Sequence, residues 1–489
     1  MSTHPPHKNY CSLFVGVDTE VPVLGGGKRT YINFDNAAST PPLKAVQETL
    51  NDFMNYYSSV HRGTGFKSQL STHAYEAARL AVLNFLGADP EIHTCIFGKN
   101  TTEAINKLAR RFPFTPERNV LITSAMEHHS DDLPWRAVTE VVHVGLLPDG
   151  RLDIADFDAQ LEKYAGRVAL VSISGGSNVT GFINPIHKLA EKAHAAGAQI
   201  AVDCAQLAPH RAIDMRPLDD PGHLDYVAIS AHKMYAPYGT GALVGRKDTF
   251  SRGVPDMVGG GVIEIVTLDS ITWAGPPDRD EAGSPNVGGA VALAAAIGKL
   301  TEIGMDAVAA HEAELTTYTL QRLTEVPGIH IYGNPDPEQA AERLGVLPFS
   351  IKGVDHFLVS AILGNEFGIG VRNGCFCAHP LILHLLDLDE GQAGQVRDDI
   401  LSGDRSHMPG LIRVSFGLYN TTEEVDALID ALKKIAAGDY QGSYVQDHAS
   451  GEYHLQDWLI RLWEIASYHE LIRRIFVHFY DKFYRSVYP

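Results

Sequence analysis

The sequence predicts an α/β protein, built on a mainly parallel sheet of seven strands with helices on both faces, together with a smaller α+β domain. Three observations predict it. Seven short apolar runs lie between residues 95 and 245, helical patterns alternate with them, and the pattern changes after residue 300. Continuous apolar runs mark strands buried on both faces, and helical crossovers make such strands parallel. In sheets of this kind ligands sit at the strand ends.

The runs are Cys95–Phe97, Val120–Thr123, Val141–Val144, Val168–Ile173, Ile200–Val202, Tyr226–Ile229 and Ala242–Val244, with helices at Thr102–Phe112 and Pro185–Ala196. They place a large domain over residues 30–300. Residues 1–29 and 301–436 form the small domain. There Asp306–Val326 has helical spacing, Ile329–Tyr332 and Val346–Ile351 read as strands, His356–Phe367 as a helix, Leu411–Phe416 as a strand and Thr421–Ala436 as a helix. The last opens on Thr421-Thr422-Glu423-Glu424, a capping-box pattern. Residues 437–453, rich in Gly, Ser, Asp and Gln, read as a linker. Beyond it Leu455, Trp458, Leu459 and Leu462, then Ile472, Ile475, Phe476 and Phe479, recur at helical spacing, which predicts an amphipathic helical extension over 454–489. Its apolar stripes suit packing on the protein's own body, on a dimer mate, or on another protein.

Across 489 residues the hydrophobic share of 45% is enough to bury more than one core. A net charge of −19, without basic arms or stripes, argues against nucleic acid and anionic membrane as partners. The cysteines, at 11, 95, 204, 375 and 377, are few, odd in number and scattered, which fits a reducing compartment. The N-terminal MSTHPPHKNY lacks a signal-peptide layout, and Val287–Ile297, the longest weakly polar stretch, is too short to span a bilayer. A cytoplasmic enzyme is the expectation.

Chemistry concentrates at strand ends. Tyr226–Ile229 leads into Ser230-Ala231-His232-Lys233 and then a loop rich in glycine and proline. A lysine there is a solvated charge, or it is paired, or it forms an imine with an aldehyde cofactor. Asp203 ends Ile200–Val202, and a buried carboxylate needs a cationic partner. A protonated pyridine nitrogen is one such partner. Asn100-Thr101-Thr102-Glu103 opens a helix, where capping by Asn100 and phosphate binding are both available. Met126-Glu127-His128-His129 follows another strand and offers an imidazole to stack on a ring. In Leu411–Phe416, Ile412, Val414 and Phe416 share one face and Arg413 takes the other, and arginine pairs bidentately with carboxylate. Gly239-Thr240-Gly241 leads into a strand and so is not a dinucleotide loop.

Taken together these stretches resemble the class V aminotransferase-like enzymes of fold type I, dependent on pyridoxal 5′-phosphate, and within them the cysteine desulfurase and selenocysteine lyase group. The resemblance runs from about Tyr31 to Ala436. It is carried by Phe34-Asp35-Asn36-Ala37-Ala38-Ser39-Thr40-Pro41, Val60-His61-Arg62-Gly63, Thr101-Thr102-Glu103-Ala104-Ile105-Asn106, Met126–His129, Ser177-Asn178-Val179-Thr180-Gly181, Val202–Gln206, Ser230–Lys233, Ala282-Gly283-Ser284-Pro285-Asn286 and Arg413-Val414-Ser415 with Tyr419-Asn420-Thr421. It implies Lys233 as Schiff-base lysine and proton shuttle, Asp203 as partner of the ring nitrogen, Gln206 as donor to the ring hydroxyl and His128 stacked on the ring. Thr102, Ser230 and His232, with Thr101 close by, would hold the phosphate. Asn178 would lie near the ring hydroxyl and substrate, and Arg413 would grip the substrate carboxylate. Ser284 would reach the phosphate of the opposite subunit, which implies a homodimer.

Arg372-Asn373-Gly374-Cys375-Phe376-Cys377-Ala378-His379-Pro380 matches the desulfurase pattern Arg-x-Gly-x-x-Cys-Ala-x-Pro. The resemblance implies a sulfur-accepting Cys377 and a second substrate-side arginine at Arg372; only a thiolate attacks sulfur. Cys375-Phe376 stands where bacterial sulfur-mobilising members carry histidines, and the Gly-Cys-Phe-Cys form is also similar to molybdenum-cofactor sulfurases. Cys375 either resolves a persulfide or packs. No fourth ligand with zinc spacing accompanies Cys375, Cys377 and His379, so no metal is expected. The implied activity is conversion of L-cysteine to L-alanine with a persulfide left on Cys377, for delivery to a sulfur-acceptor protein. Alternatives are a selenocysteine lyase, a β-eliminating C–S lyase or an epimerase on the same fold, or an inactive sulfur-relay scaffold.

Overall fold

The computed structural model describes residues 10–456. All seven apolar runs become strands of one sheet: β1 (His93–Gly98), β2 (Val120–Ser124), β3 (Glu140–Val144), β4 (Val168–Ser174), β5 (Gln199–Asp203), β6 (Tyr226–Ser230) and β7 (Gly241–Arg246). Their order is β1-β7-β6-β5-β4-β2-β3. β2 to β6 pair in parallel, while β7 runs antiparallel to both β6 and β1. The exception has a simple cause. Only residues 231–240 join β6 to β7, fewer than a parallel crossover needs, so the chain must fold back as a hairpin. Gly241, the first residue back, lies so close to Asn100 and the Ile229 carbonyl that a Cβ would meet them at 2.6 and 2.7 Å. Because β7 is antiparallel to both neighbours, β1 and β6 point the same way, and the carboxyl ends of β1, β2, β4, β5 and β6 share one edge.

The two faces bury separate sets of side chains. Cys95, Phe97, Ile122, Val227 and Val244 belong to one apolar cluster and Ile96, Leu121, Tyr226, Ala228 and Leu243 to the other, the two-residue alternation of pleated strands. Helices α1 (Lys44–Met54), α2 (Phe66–Phe85) and α5 (Val287–Ile303) pack together on the first cluster. α3 (Thr101–Arg111) covers the second, and α4 (Ile186–Ala195) returns the chain from β4 to β5. No single described helix is long and apolar enough to cross a membrane.

A four-stranded antiparallel sheet, ordered β8-β9-β11-β10, contains β8 (Ile329–Ile331), β9 (Val346–Ile351), β10 (Arg372–Gly374) and β11 (Leu411–Ser415). α6 (Met305–Leu323) and α7 (Thr422–Ala436) close over it, and Leu347, Phe349, Ile412, Val414 and Phe416 fill the space between. At α7 the capping box forms in both directions, between Thr421 and Glu424.

Residues 437–453 depart from the linker reading. They carry β12 (Tyr444–Gln446), which pairs antiparallel with β13 (Tyr453–Leu455), and Glu366 accepts bonds from Gln441 N, Gly442 N and Tyr444 OH. Leu455 is a buried strand residue, not the start of a helical stripe. The rest of the stripe, from Trp458 to Phe479, lies outside the described residues.

Candidate active site

At the shared edge the strand ends enclose a cavity of about 420 Å³. Every predicted site residue except Ser284 lines it: Thr101, Thr102, His128, Asn178, Asp203, Gln206, Ser230, His232, Lys233, Arg372, Cys377 and Arg413. They arrive from several different strand ends and loops.

Asp203 is the last residue of β5. Its Oδ1 accepts from Ala205 N at 2.8 Å, and burial pushes its pKa up, opposed by that N–H and by the nearby Lys233. Among the described residues no cationic side chain forms a salt bridge with it. Lys233 follows β6 by one tight turn, Ala231–Lys233. Burial pulls its pKa down to about 8, with Asp203 resisting and Arg413 adding to the fall. An amine so placed is partly neutral near physiological pH, which is what a nucleophile or base requires. Gln206 donates to Ala37 O at 2.8 Å; one N–H of its amide is thereby used and the other is left for the cavity.

His128 accepts from Ser130 N through Nδ1 at 3.1 Å. That bond puts the ring proton on Nε2. Burial, then the neighbouring Lys233, lowers its pKa to about 3, so the ring is neutral. Two buried carboxyls nearby in sequence have roles that their motif does not reveal. Glu127 accepts from Ser124 Oγ and Ser174 N, and burial raises its pKa to about 8; Asp131 accepts from Trp135 Nε1 and Ser172 Oγ, and burial raises its pKa as well. Glu127 adjoins His128 in sequence, but no spacing rule singles out a buried acid.

Hydroxyls gather at the start of α3. Ser230 Oγ accepts from Thr101 N and donates to Thr101 Oγ1, both at 2.9 Å, and Thr102 Oγ1 lies 2.7 Å from Ser130 Oγ. Asn100 does cap the helix, accepting from Glu103 N at 3.0 Å. Capping and a cluster of hydroxyls therefore coexist at one helix start, where an anion could also be held.

Arg413 is 3% exposed and emerges from β11 directly opposite Arg372 on β10. Like charges facing across strands repel. Asp35 offsets that repulsion, a part its sequence motif does not reveal. Its Oδ1 is 3.0 Å from Arg413 Nη2 and its Oδ2 is 2.8 Å from Arg372 Nη2. Arg413 also donates to Asn178 O at 2.9 Å and lies 4.8 Å from the Phe376 ring centroid. Burial lowers its pKa to about 10, with Asp35 opposing, so it stays cationic.

Cys377 is exposed at the cavity edge. Phe376 and Cys377 both have positive φ, 51° and 56°, which side-chain-bearing residues hold only when their surroundings impose it. The ties are visible. Asn178 Nδ2 donates to Phe376 O at 2.7 Å, His129 N donates to Cys377 O at 2.8 Å, and His379 Nδ1 lies 3.0 Å from His129 Nε2. Asn178 is thus a strut between the cysteine loop and Arg413. Cys375 is buried, its S–H donates to Pro409 O at 3.0 Å, and burial pushes its pKa up to about 12; it packs.

Ser284 is exposed and away from the cavity, in the loop before α5.

Residues 32–428 match the aminotransferase class-V family. A probable cysteine desulfurase of Halobacterium salinarum is 36% identical over 419 residues, covering 84% of this chain and 92% of that one. The cysteine desulfurase of Dickeya dadantii is 35% identical over 411 residues, covering 82% and 91%. Among solved structures, the apo cysteine desulfurase of Thermococcus onnurineus superposes with a TM-score of 0.71 at 32% identity, covering 83% of this chain and 95% of that one. An Escherichia coli cysteine desulfurase in its S-sulfonic acid form gives 0.69 at 30%, covering 84% and 96%. With fold, cavity and sequence in agreement, the chain belongs to the class V aminotransferase family.

Proposed function

We propose that the protein is a pyridoxal 5′-phosphate-dependent cysteine desulfurase, and the observation that carries this is an exposed Cys377 on the same cavity as Lys233, Asp203 and the two arginines. The residues present fit the cofactor. Asp203 is a buried carboxylate that forms no salt bridge among the described residues, the hydroxyls of Thr101, Thr102 and Ser230 line a helix start, and His128 is a neutral ring beside Lys233. When bound, pyridoxal 5′-phosphate supplies an aldehyde that captures amines and a ring that accepts electrons from the substrate carbon.

Around it, Asp203 would face the ring nitrogen, Gln206 the ring hydroxyl and His128 the ring face, while Thr101, Thr102, Ser230 and His232 would hold the phosphate. Lys233 anchors the cofactor and moves the substrate's Cα proton. Arg372 and Arg413 bind the α-carboxylate. The Cys377 thiolate attacks the substrate sulfur. One S–S bond forms and the C–S bond breaks, its electron pair staying with carbon, so that protonation yields alanine and Cys377 retains a persulfide. Exposure of Cys377 suits transfer of that sulfur to an acceptor protein. Ser284 we assign to the cavity of a second copy, which makes the working enzyme a homodimer.

Incubation with L-cysteine should give alanine and protein-bound sulfane sulfur in equal first-turnover amounts. Absence of alanine from the wild type rejects the activity; undiminished persulfide in Cys377→Ala rejects the role of Cys377.

A further inference from the structure

Asp35 takes no part in the chemistry above, yet its carboxylate receives one bond from each arginine, Arg372 at 2.8 Å and Arg413 at 3.0 Å. The two guanidiniums emerge from facing positions of paired strands and bring two positive charges to one cavity wall. Such a wall suits a substrate with two carboxylates, one for each fork. One carboxylate already bridges the forks from within the protein. Arg413 has little freedom to turn elsewhere, being buried, with Nη1 held by Asn178 O and its face against Phe376.

We propose that Asp35 sets the charge class of the substrate: by cancelling one of the two arginine charges it fits the site to amino acids with a single carboxylate and disfavours dicarboxylic ones. This rests on the reading of Arg372 and Arg413 as the carboxylate-binding pair. A monocarboxylate finds one net positive charge to answer. A second carboxylate finds the remaining arginine charge already answered by Asp35. Asp35 is a specificity-determining residue and does not itself react.

The test compares cofactor-loaded wild type with Asp35→Asn and Asp35→Glu by calorimetric titration with succinate and with butyrate, a monocarboxylate of equal carbon count. Asp35→Asn should raise the preference for succinate over butyrate by about tenfold, the size of one charge-assisted contact. Asp35→Glu should keep the wild-type ratio. Should the Asn variant fail to fold, Asp35→Ala is expected to show the same gain. If Asp35 merely holds the arginines in place, Asp35→Asn weakens both ligands equally; that result, or an unchanged ratio, overturns the proposal. Alanine formation from cysteine by the wild type is followed in parallel, and its absence rejects the desulfurase reading while the ligand ratio still judges Asp35.

Discussion

Lys233 and His128 show how a cavity retunes ordinary side chains. Lys233 is drawn down to about 8 chiefly by burial, so its reaction with an aldehyde probe under reductive trapping should accelerate as pH rises through 8 and level off above it; mass spectrometry of the labelled peptide follows this. A rate still climbing steeply above pH 10 contradicts it. His128 titrates near 3 in the fold and near 6.5 when unfolded. Between those values the unfolded chain holds the extra proton. The stability attached to His128 is therefore full above pH 6.5 and falls as acid is added, by up to about 1.4 kcal/mol per pH unit. Urea unfolding of cofactor-free protein from pH 7 to 4 should show a shallower loss for His128→Asn. Most residues of this cavity were legible because their motifs carry them. The parts played by Asp35, Glu127 and Ser130 were not: they depend on partners such as Arg413, Ser174 and Thr102, far away in the chain and close only after folding.

At the scale of elements, continuous apolar runs marked every strand of the large sheet; in the inner strands burial on both faces leaves few polar choices, while the edge strand β3 exposes Glu140 and His143. The same rule could not show that β7 is antiparallel, which follows from the shortness of its connection. The pattern misleads at 437–453, where Gly, Ser, Asp and Gln resemble a linker but Glu366 fixes the backbone. Three donors converge on that carboxylate. Glu366→Gln should loosen residues 441–456, seen as faster amide hydrogen exchange there, and lower stability by about 1–3 kcal/mol, as expected when buried hydrogen bonds to a charge are weakened. Unchanged exchange in that segment argues that β12 and β13 are held by other contacts.

For the whole molecule, apolar side chains left uncovered fit the proposed homodimer. Leu268 is fully exposed at the turn between strands Ile263–Val266 and Ile271–Trp273, with Ile265, Val266 and Ile271 more than half exposed beside it. Patches of this kind on a single chain mark contact surfaces. Sedimentation of the wild type should give a dimer, and Leu268→Asp should shift it toward monomer; a monomeric wild type removes the role assigned to Ser284. The sequence by itself determined the α/β class and the order of the strands along the chain, since burial pattern is a local property, and its resemblance to the family singled out Lys233, Asp203, Arg413 and Cys377 as candidates. Only the tertiary structure decided that one cavity joins them, that Asp35 bridges both arginines and that the 437–453 stretch is tied down, because ion pairs and hydrogen bonds depend on distance in space, and the sequence records only distance along the chain.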